Sequence, residues 1–220
     1  MAGLDMPDSA PATALLPQFE SELYRMISGE VEGLSDEQLD FETDKWEWSK
    51  WSIRRNLSHV ASGDYRWLLL RWGPQLFPNG LPDIADLDNI MNSPYDRRLD
   101  EQAYWEVSSI LAVLRRGLEL CHSVLAGETV GTLRSKELKM DDSGNWSTFG
   151  QAHPRGIRWD PDDPSRLYIT LEATLRHRYF EHTTHLYNIQ RLKRAQGLAP
   201  RIEIPFEGYF ALPTWDRSEP

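Results

Sequence analysis

The stretch LYITLEATLRHRYFEHTTHLYNIQRLKRAQG, residues 167–197, decides how this chain is read. Leu171, Leu175, Tyr179, Leu186, Ile189 and Leu192 recur at spacings that keep to one side of an α-helix. The pattern predicts a helix from about Leu167 to Gln196, stopped by Gly197. Polar groups stand inside that apolar side. A helix turns about 100° per residue, which puts His182 and His185 within the stripe and Glu181 on its edge. Burying such groups without partners costs about 1–3 kcal/mol each. Glu181 and His185 are four residues apart, so they overlie on adjacent turns and can chelate one ion. Core histidines hydrogen-bonded to backbone or to each other are the competing reading. His177 falls on the opposite side and reads as a surface residue, with Arg176 and Arg178 as solvated neighbours or, alternatively, as contacts for an anionic substrate group.

Three earlier patterns match this helix. Leu16, Phe19, Leu23, Ile27, Val31 and Leu34 draw one apolar stripe, with Pro17 near the helix start, where a missing N–H costs little. A second helix is expected from Ser49 or Ser52 to Trp72, with Gly73-Pro74 as its stop and Ile53, Leu57, Val60, Ala61, Trp67 and Leu68 buried. Arg71 falls where the next apolar residue belongs, so that face is expected to end at Leu68. The third helix is expected over Asp100–Leu125, with Asp100 as N-cap and Gly127 past its end. Its seam is Ala103, Val107, Ile110, Leu114, Leu118, Cys121 and Leu125.

The segments between differ in kind. Residues 1–14 lack periodicity and predict a flexible arm. Residues 74–99 are rich in Pro, Asn, Asp and Gly and read as an irregular connection. Residues 127–166 are too long for a plain helix–helix link and form an insertion, irregular or short-β, in which TVGTLRSKEL alternates like a strand. Residues 199–220 are apolar and broken by proline, and are expected to pack on the bundle. The fold class is therefore all-α, a four-helix bundle over 15–198 with that insertion and a packed C-terminal tail.

Composition removes several functions. The chain has 220 residues, a net charge of −10, one cysteine and nine tryptophans. One cysteine makes no internal disulfide, and the negative charge opposes binding to nucleic acid or anionic membranes. The first residues lack a basic region followed by an apolar one, and no apolar run approaches a membrane span. A cytoplasmic protein is expected. No glycine-rich nucleotide loop, GxSxG or HExxH occurs. Cys121 lies on the third helix's seam and reads as core. Asp64, on the apolar side of the second helix, is expected to pair with an arginine or to make an outer contact to the metal site.

A metal site needs a ligand from a second helix, and His59 is the candidate. It lies about 125° from the centre of its helix's apolar stripe, so the wheel permits a ligand there without demanding one. Small residues such as Gly63 would open a groove beside it. Trp46 and Trp48 read as an aromatic staple, a pocket mouth or a dimer face.

Trp51-Ser52-Ile53-Arg54-Arg55-Asn56-Leu57-Ser58-His59-Val60 resembles the W-S-x-x-x-x-L-x-H-L/V signature of the DinB-like superfamily, metal-binding four-helix bundles that include mycothiol-dependent isomerases. His185-Leu186-Tyr187-Asn188-Ile189 is similar to that family's H-x-x-Q-I, with Asn188 in place of Gln, and LSDEQL after the first helix is similar too. The resemblance spans about residues 15–198. It implies a divalent metal held by His59, Glu181 and His185; many members carry histidine where Glu181 stands. A shift of one residue would make His182 the ligand and Glu181 its hydrogen-bond acceptor. Zinc or nickel suits such a set best, with iron or manganese as the other candidates.

The resemblance further implies a metal-dependent thiol transferase, isomerase or hydrolase acting on a small molecule, with any thiol supplied from outside. The alternatives are a non-catalytic metal-binding or stress-response protein and a metal-free dimeric ligand-binding bundle. A homodimer is expected. A pocket over the metal, closed by 127–166 or by the tail, would favour catalysis; a sealed site would oppose it.

Overall fold

Spacings of three and four residues put apolar side chains on one face, and four long helical segments bury those faces against one another. The structure, a computed structural model, describes residues 6–141 and 146–220. Helix α1 spans Glu22–Val31 and is entered through a 3₁₀ turn at Pro17–Phe19. Short α2, Asp36–Leu39, begins with a reciprocal cap: Gln38 N–H donates to Ser35 Oγ, and Ser35 N–H to Gln38 Oε1. Helix α3, Ile53–Tyr65, is capped by Ser52 and runs on as a π-helical segment, Arg66–Arg71. Two short helices, α4 (Gly73–Leu76) and α5 (Leu87–Met91), interrupt the irregular connection. Helix α6, Val107–Ala126, is followed by α7, Val130–Ser135. Strand β1 (Glu137–Asp141), helix α8 (Trp146–Ala152) and strands β2 (Ile157–Trp159) and β3 (Arg166–Thr170) lead into α9, Leu171–Ala195.

Both α1 and α3 pack against α6 and α9, so the first two long helices face each other diagonally. The expected stripes fill the core: Leu16, Phe19, Leu23, Ile27 and Val31 of the first pattern and Ile53, Leu57, Val60, Ala61 and Leu68 of the second are buried. Among the described residues, no helix is long and apolar enough to cross a membrane.

Several expected boundaries are corrected. The third helix starts at Val107, not Asp100, because the Asp100 side chain accepts from Gln102 N–H and closes a turn instead. Ala103 is consequently exposed. The fourth helix starts at Leu171, not Leu167. Residues 166–170 alternate, with Leu167 and Ile169 inward, and pair as β3 between β1 and β2 in an antiparallel sheet. Thr170 then caps α9 by accepting from Ala173 N–H. In TVGTLRSKEL the Thr129–Thr132 cap turns VGTLRS into α7, and only Glu137 onward is strand. The buried side of the second helix continues past Leu68 to Trp72, whose indole N–H donates to Thr174 Oγ1 at 3.1 Å.

The N-terminal arm is not loose over its described part. Ala12 is fully buried, its N–H donates to Glu128 O, and Val130 N–H donates to Ala10 O. Residues 1–5 of that arm, and 142–145 of the insertion, lie outside the described residues. The tail packs as expected. Tyr209 and Phe210 are buried, and buried Glu30 pairs with Lys193 while accepting from Arg201 N–H and Ile202 N–H.

Candidate metal centre

Helices α3 and α9 lie side by side, and their facing sides are polar. His59 on α3 and Glu181 and His185 on α9 each offer one ligand atom, and the three atoms lie within 4.8 Å of one another. His59 Nε2 is 3.3 Å and His185 Nε2 is 3.7 Å from Glu181 Oε2. His59 is 5% exposed despite its position off the stripe. Almost the whole circumference of α3 is covered, so its polar side is as buried as its apolar one.

The outer hydrogen bonds fix how both rings present themselves. His59 Nδ1 faces the Arg97 carbonyl at 3.0 Å. His185 Nδ1 faces Asn56 Oδ1 at 2.7 Å. The Asn56 amide is oriented by its own N–H groups, which donate to Trp51 O and Ser52 O. Both partners are acceptors, so each Nδ1 carries its hydrogen and each Nε2 turns a bare lone pair toward Glu181. Burial holds His59 at about 3, far below its ordinary range, so its ring is neutral at neutral pH. Three acceptors facing each other lack a positive charge, and together they could hold a metal ion. The Trp51 ring stands against both histidines, with centroids 5.2 and 6.2 Å away.

His182 is placed elsewhere. It is fully buried one step round the helix, with Nε2 3.0 Å from Asp64 Oδ2. Arg178 Nε donates to Asp64 Oδ1 at 2.7 Å, so Asp64 holds an arginine and a histidine together. Arg178 is therefore buried and not solvated. Gly63 makes the room: a Cβ there would stand 2.6 Å from Arg178 Cζ. The groove expected beside Gly63 is filled by that guanidinium. Cys121 is core, as expected, and burial pushes its thiol well up.

A cavity of about 530 Å³ reaches His59 and Glu181. Trp146 and Phe149 of the insertion and Tyr209 and Trp215 of the tail help to line it. His177 lines it as well and is not a surface residue, because α8 and the tail cover the side of α9 that a bare helix would show to solvent. Tyr209 Oη lies 2.7 Å from His177 Nδ1 and 3.3 Å from His153 Nε2. The single phenolic hydrogen serves one ring at a time. In one arrangement His177 shows Nε2–H to the cavity, in the other a lone pair. Burial lowers both histidines, His153 to about 3 and His177 well below 6.5, so both are neutral. Trp46 and Trp48 stack on each other at 4.9 Å, and Trp48 Nε1–H donates to Ser218 Oγ, which makes them a staple for the tail.

No protein-family model matches the chain, and no curated protein matches it in sequence. A solved structure is similar in fold: YfiT from Bacillus subtilis, described as "a probable metal-dependent hydrolase with an unusual four-helix bundle topology". The TM-score is 0.51 at 20% identity, covering 83% of this chain and 86% of that one. At that identity the likeness is one of fold.

Proposed function

We propose that this chain is a DinB-like metalloprotein whose divalent transition metal is held by His59 Nε2, Glu181 and His185 Nε2, and that it acts on a small molecule in the adjoining cavity. The observation that carries this is the convergence of two Nε2 lone pairs and a carboxylate, with both Nδ1 atoms already engaged. An imidazole–carboxylate donor set suits zinc or nickel. The contact of His182 with Asp64 supports His185 over His182 as the ligand. The W-S-x-x-x-x-L-x-H-V match and the fold of YfiT, itself described as a metal-dependent hydrolase, support the same reading.

The bound ion would act as a Lewis acid that polarises a carbonyl and acidifies a water or thiol. The chain's own residues do the remaining work. Trp51 walls one side of the histidine pair, and Trp146, Phe149 and Trp215 restrict water around the cavity. His177, backed by Tyr209, can take or give a proton at Nε2. The cavity favours catalysis over a purely structural metal. A nucleophilic thiol has to come from outside, since Cys121 is sealed in the core.

Metal analysis of untagged protein tests the reading. Stoichiometric zinc or nickel is expected, lost in His59→Ala, Glu181→Ala and His185→Ala. Wild-type protein without metal, and without affinity on reconstitution, would sink it. Turnover of ester, amide and electrophile panels with and without added thiols then separates hydrolase from thiol transferase.

A further inference from the structure

The cavity beside the centre has a charge that the rest of the chain does not share. Four arginines line it, Arg66, Arg71, Arg97 and Arg178, against one carboxylate, Glu181. The chain as a whole carries −10. Two of these arginines are already paired, Arg178 with Asp64 at 2.7 Å and Arg97 with Asp96 at 3.1 Å. Arg71 lies over the Trp67 ring, 4.1 Å from its centre. Arg66 has no hydrogen-bond or ion-pair partner among the described residues, although it is partly buried.

The backbone explains how Arg66 and Arg71 come to share the cavity. They are five residues apart, which in an α-helix puts them on different sides. The segment Arg66–Arg71 is π-helical, and Trp72 N–H donates to Trp67 O, five residues back. The wider turn brings residues five apart onto one side. A strained helical form is thus used where it delivers two cations, with Trp67 and Leu70, to one opening.

We propose that this cavity binds a small anion, a carboxylate or phosphate group on a flat apolar body, and that Arg66 is the residue that recognises its charge. The inference rests on reading the cavity as the substrate site of the metal centre. Burial and three arginine neighbours lower Arg66 to about 10, so it remains a cation at neutral pH but is poorly compensated. An anion supplies the missing partner in a fork that suits either oxyanion. The body of the ligand meets aromatic rings: Trp146 lies edge-on to Trp67 at 6.2 Å and to Phe149 at 4.9 Å.

Tryptophan fluorescence titration of the full chain tests this, with benzoate, phenyl phosphate and neutral benzamide as probes, in metal-loaded and in chelator-treated protein. At least one anion is expected to saturate in both forms, and to bind about tenfold or more tightly than benzamide. Arg66→Gln is expected to erase that preference, and Arg66→Lys, which keeps the charge but not the fork, to keep only part of it. Which anion binds more tightly identifies the head group. Benzamide binding as well as the anions, neither anion binding at all, or a folded Arg66→Gln that keeps the preference overturns the proposal. So does anion binding confined to metal-loaded protein, which places the anion on the metal. If Arg66→Gln does not fold, the wild-type comparison and Arg66→Lys still decide. A wild-type protein that binds anions but takes up no metal refutes the metal reading alone.

Discussion

Asn56 Oδ1 lies 2.7 Å from His185 Nδ1, so a side chain on α3 aims a ring carried by α9. The same amide donates to Trp51 O and Ser52 O, which prevents it from turning round. Removing such an outer acceptor leaves the ligand in place but frees its tautomer and its rotation. Asn56→Ala is therefore expected to lower metal affinity about 10- to 100-fold without abolishing binding. Competition against a chelator of known affinity measures this. An unchanged affinity would show that the bond to His185 does not orient the ligand.

The neighbouring polar group behaves differently. His182 and Arg178 both engage Asp64, and all three are buried. Asp64→Ala leaves Arg178 charged and unpaired in the core, which costs about 3–5 kcal/mol. Urea unfolding is expected to show that loss. His182→Ala is expected to lower stability as well while keeping full metal content, whereas His185→Ala loses metal and keeps its fold. Metal lost with His182 would move the site one residue along α9.

Gly63 carries a separate prediction. Its missing Cβ makes room for the Arg178 guanidinium, and a methyl there would collide with a group that Asp64 holds in place. Gly63→Ala is expected to destabilise by about 1–3 kcal/mol, although alanine is the better helix former by about 1 kcal/mol at an exposed position. Combining Gly63→Ala with Arg178→Ala should remove most of the collision. A double-mutant cycle with no coupling would contradict the contact.

Much of this was legible in the chain because helical spacing and ligand spacing are local. The stripes of the four long helices, and the four-residue step from Glu181 to His185, need no knowledge of neighbours. What depends on neighbours was not legible. The wheel turned His177 toward solvent because it cannot know that α8 and the tail close over that side. It rated His59 as neutral ground because α3 is covered almost all round. Arg178 read as solvated because only the space at Gly63 and the charge of Asp64 make its burial favourable. Strand β3 was hidden because Leu167, four residues before Leu171, continues the stripe of the following helix. Nothing local marked the π-helical turn that delivers Arg66 to the cavity.

Stability should fall as the solution is made mildly acidic. His153 is buried, packed against Phe180 at 5.1 Å, and burial with Arg176 nearby lowers it from 6.5 to about 3. Above about pH 6.5 both folded and unfolded forms of this residue are neutral, and it adds no pH dependence. Between about 6.5 and 3 the unfolded chain binds a proton that the folded one refuses, so stability drops as pH falls, by up to about 1.4 kcal/mol per pH unit for each such histidine. His177 acts in the same direction. Asp64, held below its ordinary range by His182 and Arg178 against its burial, contributes stability above about pH 4 that is lost only at stronger acid. Unfolding free energies measured by urea at pH 7, 6 and 5 are therefore expected to decline before any carboxylate titrates. His153→Phe, compared with wild type at the same metal loading, should reduce that slope by close to one proton. A slope equal in the two proteins would mean that His153 takes up its proton in the folded state.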